Sequence, residues 1–236
     1  MISLNNISHS YGNKVVLEDL NIDIEANKIL CLLGGSGSGK TTILRIIAGL
    51  ENPEKGELSI DNQIFSKDNN IIIPPNKRKL GFIFQDLALW PHFSVFHNIA
   101  FGLKEQKENN IRDKVHEILN YFEIQDLALK FPHQLSGGQK QLVAISRSLV
   151  LRPSILLMDE PLNNLDVKLK RRMLDYIKKL KQEFNLTIIY VTHDHKEAFA
   201  IADKIVILDK GKIEEIGTVE QIKQSNNEFV KYFLEY

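Results

Sequence analysis

The 236-residue sequence predicts an α/β fold, a parallel sheet covered by helices, on three observations. Apolar runs of strand length alternate with segments of helical spacing between residues 155 and 208. A strand-like run near residue 30 ends in a glycine-rich turn that opens a helix. The block 86–149 carries apolar residues at three-to-four spacing and reads as a helical insertion.

Residues 2–33 alternate short apolar runs with turn residues, Tyr11-Gly12-Asn13 among them, and should be strands. The last run, Ile29-Leu30-Cys31-Leu32-Leu33, is apolar at every position, as expected of a strand buried on both faces. Thr42 to Ala48 has helical spacing and stops near Gly49, and Leu80 to Phe84 reads as a strand. Helices are expected over 94–103, 111–122 and 138–151. Thereafter 155–158 is a strand, 167–184 a helix, 186–191 a strand, 196–202 a helix and 205–208 a strand. The polar run 104–110 should be a solvated loop.

Composition narrows the function classes. Thirty basic residues balance 30 acidic ones, which argues against a surface that coats nucleic acid. No apolar stretch approaches the roughly 18 to 20 residues of a membrane span, so a role in transport would leave the pore to other subunits. The N-terminus lacks the charged start and apolar core of a signal peptide. The single cysteine, Cys31, permits no intrachain disulfide and reads as a small core residue.

Gly34-Gly35-Ser36-Gly37-Ser38-Gly39-Lys40-Thr41 satisfies the pattern G-x-x-x-x-G-K-[ST]. A phosphate chain needs several backbone N–H groups aimed inward, and side chains at those positions would block its approach. Glycines at 34, 37 and 39 permit the wrap, and the helix starting near Lys40 points its positive end at the anion. Lys40 would bridge the terminal phosphates, and the Thr41 hydroxyl would serve Mg²⁺. Farther on, Ile155-Leu156-Leu157-Met158-Asp159-Glu160 ends a buried strand in two acids. Adjacent strand residues face opposite sides, so Asp159 should support the Mg²⁺ shell and Glu160 should orient or deprotonate a water. A third stretch, Leu135-Ser136-Gly137-Gly138-Gln139, has the S-x-x-Q spacing of a capping box and marks a second glycine-rich helix start.

These residues together resemble the ATP-binding cassette family, and the resemblance covers nearly the whole chain. It implies a P-loop NTPase (RecA-like) core at 1–85 and 150–236 with an N-terminal antiparallel β subdomain, and an inserted α-helical subdomain at 86–149. Leu135 to Gln139 is similar to the family's signature motif. By that resemblance two copies pair head to tail, and Ser136 to Gln139 of one closes on the γ-phosphate held by Gly34 to Thr42 of the other. Tyr11 resembles the aromatic that stacks on adenine. Gln85 resembles the glutamine that reaches Mg²⁺ and water, and Leu165-Asp166 the segment that communicates across the dimer. His193 resembles the histidine at the γ-phosphate, whereas His195 matches no catalytic position and should lie at the surface. The implied ligands are ATP and Mg²⁺. The implied partners are a second copy, integral membrane permease subunits and a separate solute-binding protein, at the cytoplasmic face of the membrane. Nucleic acid is not among them.

Pro74 to Arg78 and Phe84 to His92 are similar to importer-type ATPases for sugars, polyamines, ferric iron or oxyanions. In that subgroup a helix of the membrane partner docks beside the Gln85 loop, and the apolar content of 87–103 could serve docking or core. Some positions depart from the subgroup's pattern. Gly35 stands where proline is frequent, Lys140-Gln141-Leu142 replaces Arg-Gln-Arg, and Asn163-Asn164 replaces a serine-alanine pair before Leu165. The sequence stops at Tyr236, where many of these ATPases continue into a β-rich regulatory domain, and regulation through such a domain is not expected. Two other readings share the chemistry: a soluble ATP-driven factor acting on nucleic acid or ribosomes, and the ATPase subunit of an exporter. The stretch from Lys40 to Ser136 is too short for the long coiled-coil arm usual in the first.

Overall fold

The computed structural model describes residues 1–163 and 165–235; Asn164 and Tyr236 lie outside them. The chain opens with a hairpin, β1 (Ile2–Tyr11) and β2 (Lys14–Ile24), that turns at Gly12-Asn13 with Gly12 at φ +59°. Next come β3 (Ile29–Gly34) and α1 (Lys40–Ala48). Strands β4 (Lys55–Ile60), β5 (Gln63–Lys67) and β6 (Asn70–Ile71) precede β7 (Leu80–Ile83). Three helices follow: α2 (Val95–Glu105), α3 (Ile111–Tyr121) and α4 (Gly137–Leu149). The remainder alternates, with β8 (Ile155–Asp159), α5 (Val167–Glu183), β9 (Thr187–Thr192), α6 (His195–Ile201) and β10 (Lys204–Asp209). Strand β11 (Lys212–Gly217) and helices α7 (Val219–Lys223) and α8 (Glu228–Glu235) complete it.

Two sheets result. One is antiparallel, in the order β2-β1-β4-β5-β6. The other runs β11-β10-β3-β9-β8-β7, parallel throughout except for the β10–β11 hairpin. The period of two sorts each parallel strand between two cores. Ile29, Cys31 and Leu33 of β3 join Leu156, Met158, Ile188 and Tyr190 against the helices from α2 to α6. Leu30 and Leu32 join Leu157, Ile189 and Val191 on the opposite face. There they meet Ile43, Leu44, Ile46 and Ile47 of α1, whose other side is covered by the antiparallel sheet. Helix α1 is therefore packed between two sheets, which fixes the turn that precedes it.

The far end of α1 is held as firmly. Arg78 is buried and donates from Nη1 to the carbonyls of Ile46 (2.9 Å) and Ile47 (2.7 Å). Its Nε bonds the Ile73 carbonyl at 2.8 Å and its Nη2 the Ser66 hydroxyl at 2.7 Å. A cation at a helix C-terminus meets the negative end of the dipole. Burial pushes the guanidinium pKa down to about 10, so the charge persists at neutral pH.

The structure departs from the sequence reading in particular places. Helix α2 runs on through Glu105, so the polar run at 104–110 begins as the last turn of a helix. The strands β4, β5, β6 and β11 were not foreseen, because their polar residues mask the alternation of a sheet with one wet face. His195, expected at the surface, starts α6 half-buried, with its ring 5.7 Å from that of Phe199.

Cys31 is fully buried, and burial drives its thiol well above the usual cysteine range. The native protein should therefore resist a maleimide at pH 8, and label fully once unfolded in denaturant. Stoichiometric labelling of the native chain would contradict this packing.

Candidate functional site

In a parallel sheet all carboxyl ends lie on one edge, where open α/β folds place their ligands. Here β3 delivers the glycine turn, β8 delivers Asp159 and Glu160, β9 delivers His193, and β7 leads to Gln85. A cavity of about 760 Å³ opens at that edge. Gly35, Ser36, Gly37, Gly39, Lys40, Thr41 and Thr42 line it, together with Tyr11, Gln85, Glu160 and His193.

The turn is built for close approach. Gly39 adopts φ +103°, and a Cβ there would stand 2.5 Å from Leu17 Cδ2 and 2.9 Å from the Val16 carbonyl. A Cβ on Gly34 would fall 2.2 Å from the Leu208 carbonyl, so β10 presses directly on the strand end. Gly39 is also the N-cap of α1 and brings no capping side chain, which leaves the first-turn N–H groups to face the cavity. Lys40 donates to the carbonyls of Gly34 and Gly35, both at 2.8 Å, and to the Ser38 hydroxyl at 3.4 Å. Gly34 and Ser38 are buried, and neither lines the cavity wall. Burial lowers the Lys40 pKa, an effect opposed by the charges of Glu160 and Asp159.

The two acids part as expected, though by a different route. The strand ends at Asp159, and Glu160 takes a left-handed backbone at φ +43°, so strand alternation is not what separates them. Such strained non-glycine positions collect at functional sites. Asp159 is buried and accepts from the Thr41 hydroxyl at 3.0 Å. Burial raises its pKa, and the Thr41 hydrogen bond counters this. Glu160 turns toward His193, whose Nδ1 lies 3.3 Å from Oε2. The same oxygen accepts a hydrogen bond from the Asn163 amide.

Tyr11 is partly exposed at the cavity rim. Its hydroxyl donates to Glu51 Oε1 at 3.2 Å, and His9 meets its ring edge-on at 4.8 Å. The oxygen donors Thr41, Asp159 and Gln85 suit a hard cation such as Mg²⁺. They form no cage of three or more acidic, histidine or cysteine ligands among the described residues.

Ser136, Gly137, Gly138 and Gln139 do not line this cavity. Ser136 caps α4 as the spacing predicts, accepting from Gln139 N at 3.4 Å while Gln139 Oε1 accepts from Ser136 N at 3.0 Å. Gly138 lies against Leu169 of α5, where a Cβ would meet Cδ2 at 2.8 Å. Of the departures, Leu142 packs against the core, and Asn163 bears directly on Glu160. In the 87–103 segment, Val95, Ile99, Ala100 and Leu103 are core, whereas Trp90, Phe93 and Phe101 form a partly exposed ring cluster. Arg147 of α4 lies over Trp90 and donates to the carbonyls of Leu87 and Ala88.

A family profile described as ABC transporter matches residues 17–163. The chain belongs to the ABC transporter family. It is 43% identical over 224 residues to the spermidine/putrescine import ATP-binding protein PotA of Marinobacter nauticus, covering 94% of this chain and 59% of the relative. It is 42% identical to the sulfate/thiosulfate import ATP-binding protein CysA of Pectobacterium atrosepticum, covering 99% and 71% respectively. Identity to the Fe(3+) ions import ATP-binding protein FbpC of Photorhabdus laumondii is also 42%, covering 99% and 66%. The chain thus spans between 59% and 71% of these curated relatives. Among solved structures, the dimeric MJ0796, a bacterial ABC transporter cassette, superimposes with TM-score 0.83 at 33% identity, covering 93% of this chain and 99% of that one. A second MJ0796 dimer, a post-hydrolysis state bound to ADP and Pi, gives 0.82 at 32%. The fold is accordingly that of an ABC ATPase cassette, an α/β P-loop NTPase core.

Some residues of this ABC site escaped the sequence reading. Lys14, Val16 and Phe233 complete the cavity wall, and Phe233 arrives from α8, distant in sequence from every motif. Glu197, one turn beyond His193, is a buried carboxylate whose three partners come from two elements, α5 and β9. Its signal was a charge falling on the inner face of a short helix.

Proposed function

We propose that the chain is the ATP-hydrolysing subunit of an importer-type ABC transporter, working as a head-to-tail pair beneath separate permease subunits. One observation carries the reading. The cavity gathers a phosphate cradle, an acid pair and a histidine, yet the signature stretch Ser136 to Gln139 stands elsewhere on the chain. A second copy supplies that stretch, as the dimeric form of the solved cassettes supports.

In this reading the N–H groups of 35–42 and the Lys40 ammonium bind the triphosphate, and Tyr11 stacks on the base. Thr41, Asp159 and Gln85 would hold Mg²⁺, which neutralises phosphate charge as it develops. Glu160 accepts the proton of the attacking water, oriented by Gln85, and His193 contacts the γ-phosphate. The names of the relatives, all import ATP-binding proteins, favour import over export. No helix among the described residues is long and apolar enough to cross a membrane; in this reading the chain sits on the cytoplasmic face through its contact with the permease. The ring cluster of Trp90, Phe93 and Phe101 is the proposed contact with the permease.

Gentle detergent extraction of native membranes should recover the chain with multi-spanning subunits, and with a solute receptor if the system imports. Recovery with ribosomes or nucleic acid instead would favour the soluble-factor reading.

A further inference from the structure

Beneath His193 lies a polar network that the site chemistry does not use. Glu197 on α6 is only 3% exposed. Its Oε1 accepts from Lys170 Nζ at 2.7 Å, and its Oε2 accepts from Tyr190 Oη at 2.8 Å and Thr192 Oγ1 at 2.9 Å. Tyr190 and Thr192 are two apart on β9 and so project to the same face. Thr192 Oγ1 also accepts from Asp194 N at 3.0 Å, and Asp194 Oδ2 stands 3.7 Å from Lys170 Nζ. The residues on either side of His193 are thereby tied to one carboxylate and one ammonium.

Lys170 comes from α5, one turn after Asp166. Asp166 is the N-cap of that helix, accepting from Leu169 N at 2.9 Å, and its carbonyl accepts from Lys170 N at 2.8 Å. The network therefore joins the Leu165-Asp166 segment to the backbone that carries His193. A buried ion pair is a poor source of stability, because desolvation cancels most of the attraction and an apolar substitute often serves as well. What it does supply is a fixed geometry, since three donors from two strand residues and a helix converge on two oxygens.

We infer that Glu197 and Lys170 are positioning residues: they hold His193 toward Glu160 and mechanically connect it to the Leu165-Asp166 segment. This rests on the proposed ATPase reading, in which His193 meets the γ-phosphate.

The test uses the full chain and steady-state ATP hydrolysis. Glu197→Gln and Lys170→Met should each lower kcat by about 10- to 100-fold, the range for groups that orient a reacting one. KM for ATP should stay within about twofold, since the cradle is untouched. Added to His193→Ala, neither change should cost anything further. Lys170 is partly exposed, so Lys170→Met carries the test even if Glu197→Gln fails to fold. Wild-type kcat in Lys170→Met, or a full additional loss on the His193→Ala background, overturns the inference. If the unaltered chain shows no ATP turnover with Mg-ATP, the underlying ATPase reading fails instead. If Glu160→Gln and His193→Ala are both inactive while Lys170→Met is normal, only the positioning role fails.

Discussion

Replacing Glu160 by glutamine is expected to slow ATP hydrolysis by roughly 10²- to 10⁴-fold, the range for loss of a general base, without loss of ATP binding. The expectation rests on where the carboxylate sits. Its left-handed backbone turns it off the end of β8, and its amide is anchored to the Val191 carbonyl at 3.0 Å. Glutamine keeps the shape and can still accept from Asn163 and contact His193, so the fold and the cradle should survive. What is lost is the proton acceptor. Phosphate release in single-turnover mode, beside equilibrium nucleotide binding, separates the two effects. Turnover near the wild-type rate would remove Glu160 from the chemistry.

The second large effect is on binding. Lys40→Ala should weaken ATP affinity by about 10²- to 10⁴-fold, if the ammonium makes two charge-assisted hydrogen bonds worth roughly 1.5 to 3 kcal/mol each. Lys40 is 5% exposed, with its charge resting on the carbonyls of Gly34 and Gly35. Burial already disfavours that charge, so an incoming triphosphate relieves an existing cost as well as forming new bonds. Calorimetric titration with a slowly hydrolysed ATP analogue measures the change. An affinity within a few-fold of wild type would show that the cradle N–H groups suffice without the lysine.

The parallel sheet was legible because β3, β8 and β9 are buried on both faces and carry unbroken apolar runs. The cradle was legible for a different reason: Gly34 and Gly39 occupy places where the structure leaves no room for a Cβ. By contrast, β4 and β11 contain Lys-Gly-Glu and Glu-Glu, acceptable on a wet sheet face but invisible to a search for apolar strands. Arg78 read only as the end of the Pro74 to Arg78 stretch that resembles importer-type ATPases. Its role in capping α1 depends on carbonyls more than 30 positions away. Asn163 on Glu160 and Lys170 on Glu197 are likewise contacts between side chains, and spacing along the chain encodes neither. The signature stretch was recognisable by its pattern, yet in one chain its serine and glutamine only cap their own helix. Its proposed function needs the partner copy.

That composite site is the heart of the account, and sedimentation of the Glu160→Gln chain with and without saturating Mg-ATP tests it most directly. One chain mass is expected without nucleotide and twice that mass with it, the pair reverting when Ser136→Arg blocks the facing helix start. A chain that binds ATP yet sediments as a single copy at every concentration would contradict it.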